Sequence, residues 1–218
     1  MTTGVILTLS LVWVVICTLT FGVVLLGGLG RLSAVPPTTI LGLAFLVRLL
    51  PALFLRQGAS YEMALFQDVG TSLLARERVI GTLPYLPCFV YWMALADWLS
   101  RAIGLDFTFW LKLPSIIADV ILVSILYAHL ASRGCSRWRT QGAATLYALN
   151  PVSILVSAYH GQFDVIPTMF LMLSLALWAD MGSKRRLTWA SVSLGAGILV
   201  KTWPGIAALC LIFRHRSR

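Results

Sequence analysis

Long apolar runs, interrupted at short polar intervals, organise this chain. The runs able to cross a bilayer are 5–29, 38–56, 109–131, 141–158, 165–182 and 187–202. A crossing helix needs about 20 residues, with roughly 17 as the floor, and the last two runs sit near it. Another run, 84–105, opens with Pro84-Tyr85-Leu86-Pro87 and carries Asp97 and Arg101. A final one, 204–213, is too short to cross alone. The pattern predicts an all-α fold, a polytopic transmembrane helical bundle.

Composition agrees with the pattern. The 218 residues are 59% hydrophobic and 11% charged, whereas soluble domains carry about 25% charged residues. The net charge of +9 comes from short clusters between apolar runs, as loop charges do in membrane proteins. No continuous basic face or stacking platform is visible, which argues against nucleic acid as a partner. The first run lacks the basic n-region and short h-region of a cleaved signal peptide and reads as a retained helix. Cys17, Cys88, Cys135 and Cys210 show neither metal-ligand spacing nor an evident disulfide pair.

Charge also orients the bundle. Arg133/Arg137/Arg139, Lys184/Arg185/Arg186 and Arg214/Arg216/Arg218 should face the cytoplasm. Two helices separate the first cluster from the second, so those two share a side. Residue 108 is then outside. If 84–105 crossed, Arg31 would also be outside. If instead 84–105 lies in the outer interface, 57–108 is one external segment and Arg31 is inside. The second arrangement also suits the two prolines and the interfacial residues Trp92 and Trp98. It lets Asp97 and Arg101, four apart, pair in the wet half of an amphipathic helix. The N-terminus is then outside, and only Asp180 of the eight acidic residues is left at the inner edge.

An external segment as long as 57–108 calls for structure of its own, and two interfacial helices are expected, near 61–76 and 86–102. Glu62 and Asp68 fall on the first. A spacing of six does not put them on one face, so one of them, rather than a pair, is the candidate general base. Both also read as ordinary solvated charges, with Glu62 favouring a helix N-terminus.

Tyr159-His160-Gly161-Gln162-Phe163-Asp164 stands between two apolar runs. Polar groups at such a depth are functional candidates. His160 and Asp164 could hydrogen-bond if the next helix began a turn early, and His160 would then meet a phosphate or a hydroxyl. The alternative is a polar turn in which Asp164 caps that helix. Asp119 lies within a span, where a carboxylate must be paired, neutral or facing a wet cavity. Asn150-Pro151 interrupts a helix, and the Asn side chain could bond the freed carbonyls or act as glue between helices. Lys201 ends an apolar helix, positioned to snorkel or to contact a lipid phosphate.

These residues also form a resemblance. Ala148-Leu149-Asn150-Pro151, the 159–164 hexapeptide and Lys201-Thr202-Trp203-Pro204 together resemble bacterial GT-C-type glycosyltransferases, nearest to a GPI-mannosyltransferase-like group. They are also similar to dolichyl-phosphate-glucose glucosyltransferases, which carry a related His-x-Gln motif. Lys112-Leu113-Pro114-Ser115-Ile116-Ile117-Ala118-Asp119 looks like a run those enzymes carry, and Ser60-Tyr61-Glu62-Met63 looks like their first-loop segment. The similarity covers about 38–213.

The resemblance implies inverting transfer of mannose or another hexose from a polyprenyl-phosphate sugar donor to a lipid or glycan acceptor, outside a cell membrane that the protein spans several times. The family's catalytic acid maps onto Glu62, with Asp68 as runner-up because the family residue is usually Asp. His160, Gln162, Asp164, Lys201 and Asp119 become substrate-binding candidates. The resemblance makes no cofactor certain, and one or two carboxylates leave a divalent metal open. Segment 1–37 would be an extra N-terminal helix and loop, and 57–108 the catalytic loop of a single domain. The family's Tyr-Pro-Pro is replaced here by Pro84-Tyr85-Leu86-Pro87. Family members are usually much longer, so the resemblance implies a missing C-terminal part and does not extend to activity of this chain alone. The competing class is a proton-coupled transporter or a non-catalytic membrane subunit, built on Asp119 and Asn150. The chain shows no convincing internal repeat in support of it.

Overall fold

A computed structural model describes residues 3–23, 35–54, 61–77, 86–179 and 183–209. Arg31, Asp180, Cys210 and the basic tail from Arg214 to Arg218 lie outside the described residues, as do Ser60, Pro84 and Tyr85.

Among the described residues the fold is all-helical. In chain order the helices are α1 (Thr3–Val23), α2 (Pro37–Phe54), α3 (Tyr61–Leu74), α4 (Pro87–Ile103), α5 (Phe107–Ser132), α6 (Arg137–Ala148), α7 (Pro151–Ile154), α8 (Val165–Trp178) and α9 (Lys184–Val200). A π-helical stretch, Leu155–His160, continues α7. Pro37–Phe54 and Phe107–Ser132 are long and apolar enough to cross a membrane, and Leu11–Val23 and Val165–Trp178 are shorter apolar stretches. Several apolar side chains face outward, among them Leu11, Val15 and Leu19 on α1, Phe54 on α2 and Leu199 on α9. Exposed apolar surface on that scale marks a membrane or partner contact.

Two expectations about individual runs change. The run 141–158 is two helices rather than one, because Pro151 has no N–H to donate and ends the ladder. The basic cluster Lys184–Arg186 begins α9 instead of forming a loop. The long segment before α5 does fold into two helices, α3 and α4, close to the expected bounds. They cross closely at Gly70, where an added Cβ would sit 2.7 Å from the Met93 carbonyl oxygen. Asp97 pairs with Arg101 at 2.6 Å, but Asp97 is buried rather than wet, since Thr71 Oγ1 of α3 donates to it at 3.1 Å. Their shared core joins Met63, Phe66, Phe89 and Met93 to Phe107 and Leu111 of α5 and to Phe163.

The centre of the bundle is polar. Arg48 of α2 and Asp119 of α5 are both fully buried, with Arg48 Nε 2.8 Å from Asp119 Oδ2. Arg48 Nη1 donates to the Ala148 carbonyl at 2.7 Å and to Ala44 at 3.0 Å, and Nη2 donates to Ser153 Oγ at 2.9 Å. Asp119 Oδ1 accepts from Tyr147 Oη at 2.7 Å and from Ser153 Oγ at 2.9 Å. Asn150 does not bond the freed carbonyls. Its Oδ1 caps α7 by accepting from the backbone N–H groups of Val152 and Ser153. The guanidinium of Arg48 takes the Ala148 carbonyl instead.

The turns sort to two ends. Arg133 Nη2 donates to the Ala179 carbonyl at 2.9 Å, which joins the turn after α5 to the end of α8. The clusters at 133–139 and 184–186 therefore share an end, as charge parity requires. The α3–α4 pair, Gly161 and Lys201 occupy the other.

Removing one member of a buried pair leaves an uncompensated charge, at a cost of about 3–5 kcal/mol, whereas replacing both with apolar groups costs far less. Arg48→Met should therefore lower thermal stability in detergent sharply, and Arg48→Met combined with Asp119→Leu should recover most of the loss. A double variant no more stable than the single would contradict this account.

Candidate functional site

The π-helical stretch delivers the 159–164 hexapeptide to the end of the bundle. Wider winding over Leu155–His160 carries the chain to Gly161, which ends it at φ +82°. π-turns of this kind recur at functional sites. Glycine is required at 161 twice over. Its backbone is left-handed, and an added Cβ would lie 2.0 Å from Met63 Cε and 3.2 Å from Lys112 Cε. So α3 and α5 both press side chains onto the backbone of this turn.

From that turn the side chains diverge. Gln162 Nε2 donates to Glu62 Oε2 at 2.8 Å, linking residues a hundred positions apart. Phe163 is buried and stacks on Phe89 of α4, with centroids 3.6 Å apart. Lys201 Nζ lies 2.5 Å from Asp164 Oδ1 and 4.9 Å from the centre of the Phe163 ring. Four of the expected residues, Glu62, Gln162, Asp164 and Lys201, are thus gathered at one end around Phe163.

The Asp164 and Lys201 side chains are 44% and 31% exposed. A pair so open to solvent contributes about 0–1 kcal/mol. It does little to hold the fold and leaves both charges within reach of a ligand. Asp164 occupies the N-cap position of α8, yet its side chain caps no backbone N–H.

The other candidates fall elsewhere. His160 is exposed at the end of the π-stretch, and Asp164 bonds Lys201 rather than His160 because α8 starts at Val165, not a turn earlier. Asp68 is exposed on α3. Asp119 is not in the cluster. Seven residues beyond Lys112 on α5, or about 10 Å along a helix, its carboxylate is engaged by Arg48, Tyr147 and Ser153. That engagement also removes the free in-span carboxylate on which a proton-carrying role would draw. Among the described residues, no three His, Cys, Asp or Glu side chains gather as a metal ion would need.

Lys112 is the residue the sequence reading passed over. It stood in the run Lys112–Asp119 only as a landmark. Its signal was present, for a lone cation five residues into an apolar helix needs a partner or a purpose.

Several grooves line the described residues, and two bear on the site's surroundings. One, of about 350 Å³, is apolar and lies beside the cluster, between Trp92, Pro114, Ile117, Ile166 and Phe170. The other, of about 560 Å³, is at the opposite end by Arg185, Arg186 and Trp189, away from every candidate residue. No protein-family model matches the chain, and no solved structure matches it. The class defined by fold and site is, among the described residues, an all-helical protein with two helices long and apolar enough to cross a membrane and a carboxylate–amide–cation cluster at one end.

Gly161→Ala should destabilise the protein by about 1–3 kcal/mol, from strain at positive φ and displacement of Met63 and Lys112. Thermal unfolding checks it, and a melting temperature equal to wild type would mean that this turn is not held as described.

Proposed function

We propose that this chain is a multi-pass membrane glycosyltransferase of GT-C type. It moves a hexose, mannose or a relative, from a polyprenyl-phosphate donor to an acceptor hydroxyl at the external face. The observation that carries the reading is the Gln162–Glu62 hydrogen bond. It brings the acidic helix and the hexapeptide to one place, where the family resemblance needs them together. Support also comes from the Asp164–Lys201 pair alongside and from the apolar groove, which suits a prenyl chain.

In this mechanism Glu62 accepts the proton of the acceptor hydroxyl as that oxygen attacks the anomeric carbon. The bond from the anomeric carbon to the phosphate oxygen breaks, and polyprenyl phosphate leaves with its electron pair. One displacement inverts the anomeric configuration. Gln162 can only donate to the carboxylate through its amide N–H, so it holds one Glu62 oxygen and leaves the second free for the incoming hydroxyl. Lys201 and Asp164 meet the polar part of the substrate.

General-base catalysis contributes about 10²–10⁴-fold. Glu62→Gln, expressed at the wild-type level, should reduce sugar transfer from a polyprenyl-phosphate hexose by at least about 100-fold. Asp68→Asn should leave transfer within a few-fold of wild type. Unimpaired transfer by Glu62→Gln would sink the assignment.

Sidedness has its own test. Cys88 is exposed near the start of α4, and Cys135 is partly exposed in the turn after α5. A membrane-impermeant maleimide should label Cys88 in intact cells and Cys135 only after permeabilisation. The reverse result would place the cluster in the cytoplasm.

A further inference from the structure

Lys112 is fully buried, and its ammonium nitrogen has no hydrogen-bond partner among the described residues. An ammonium can donate three hydrogen bonds. Buried without an acceptor it is among the least tolerable groups in a protein. Asp106, the carboxylate whose charge acts on Lys112, accepts from the N–H and hydroxyl of Thr108 and makes no hydrogen bond to the ammonium. Glu62 accepts from Gln162, and Asp164 pairs with Lys201. The other deeply buried cation, Arg48, is by contrast fully bonded.

Its placement is equally specific. The Lys112 side chain lies against Gly161, with Cε 3.2 Å and Cγ 3.3 Å from where a Cβ on that residue would be. Gly161 is next to Gln162, which holds Glu62. An anion that reached Lys112 Nζ would therefore sit beside the turn whose Gln162 holds the proposed base, Glu62.

We propose that Lys112 is an anion-binding residue, whose missing partner is the phosphate of a lipid-linked substrate. The charge argument stands without the glycosyltransferase reading, but the lipid linkage rests on it. In that reaction Lys112 neutralises the phosphate oxygens and stabilises the negative charge that builds on the leaving group as the bond to the sugar breaks. The apolar groove passes between Trp92, Pro114 and Ile166, is lined also by Leu113, the residue after Lys112, and gives a prenyl tail a path into lipid.

The test uses the full chain in phosphatidylcholine nanodiscs, with citronellyl phosphate, citronellol and inorganic phosphate as probes, read by tryptophan fluorescence and melting temperature. Wild type should bind citronellyl phosphate at least tenfold more tightly than citronellol. Lys112→Met should bring that ratio close to one, and Lys112→Arg should keep most of it. Without probe, Lys112→Met should melt no lower than wild type, because it removes a buried charge that has no hydrogen-bond partner among the described residues.

A Lys112→Met protein that keeps the tenfold preference overturns the proposal. So does one that melts well below wild type or fails to fold, since either result means an internal partner satisfies the ammonium. Inorganic phosphate binding as tightly as citronellyl phosphate, with the same dependence on Lys112, overturns the lipid-linked source. Lys112-dependent binding of citronellyl phosphate by a wild-type protein that transfers no sugar upholds the phosphate site and rejects the glycosyltransferase reading.

Discussion

The buried pair of Arg48 and Asp119 is the interaction on which the architecture depends. Pro151 breaks a helix in the middle of the bundle and leaves carbonyls without donors. Such a break is tolerated where another group takes over the freed backbone. The Arg48 guanidinium does so, bonding the Ala148 carbonyl while its charge is balanced by Asp119. Tyr147 and Ser153, on either side of the break, complete the carboxylate's partners. One ion pair therefore fixes α2 and α5 against the two halves of a broken helix, and a fully satisfied network of this kind admits one arrangement.

The break has a consequence at the end of the bundle. Once α7 starts afresh at Pro151, the chain winds through a π-helical stretch into the left-handed Gly161. That path sets Gln162, Phe163 and Asp164 on three diverging bearings. Phe163 goes inward to stack on Phe89, while Gln162 and Asp164 turn to Glu62 and Lys201. The two polar systems obey opposite economies. The inner one is dry and complete. The outer one is partly solvated, has exposed charges and includes one buried cation, Lys112, with no hydrogen-bond partner among the described residues. Incompleteness of that kind is what a ligand-binding surface needs, because a group already satisfied has nothing to offer.

Much of this was legible in the chain. The helical class followed from apolar runs and sparse charge, and the α3–α4 pair from the length of segment 57–108. The common end of the arginine clusters followed from counting helices between them, and the Arg133–Ala179 contact agrees with it. The same parity put Glu62, Gln162, Asp164 and Lys201 at one end, together with Asp68 and His160, which the structure leaves outside the cluster. Bond partners were not legible. Asp164 could as well have bonded His160, four residues away, and the choice fell to Lys201 because α8 begins at Val165.

By itself, then, the sequence determined which segments are helical, which ends they share and where polar groups interrupt apolar ones, since these are properties of periodicity and charge along one dimension. Only the tertiary structure decided whether a buried charge is spent or free. Asp119 and Lys112 sit seven residues apart on the same helix and look alike as in-span ionisable groups. Arg48 comes from 71 positions away to engage Asp119, while no described residue hydrogen-bonds Lys112 Nζ. Pairing is settled by distance in space, and local composition does not encode it.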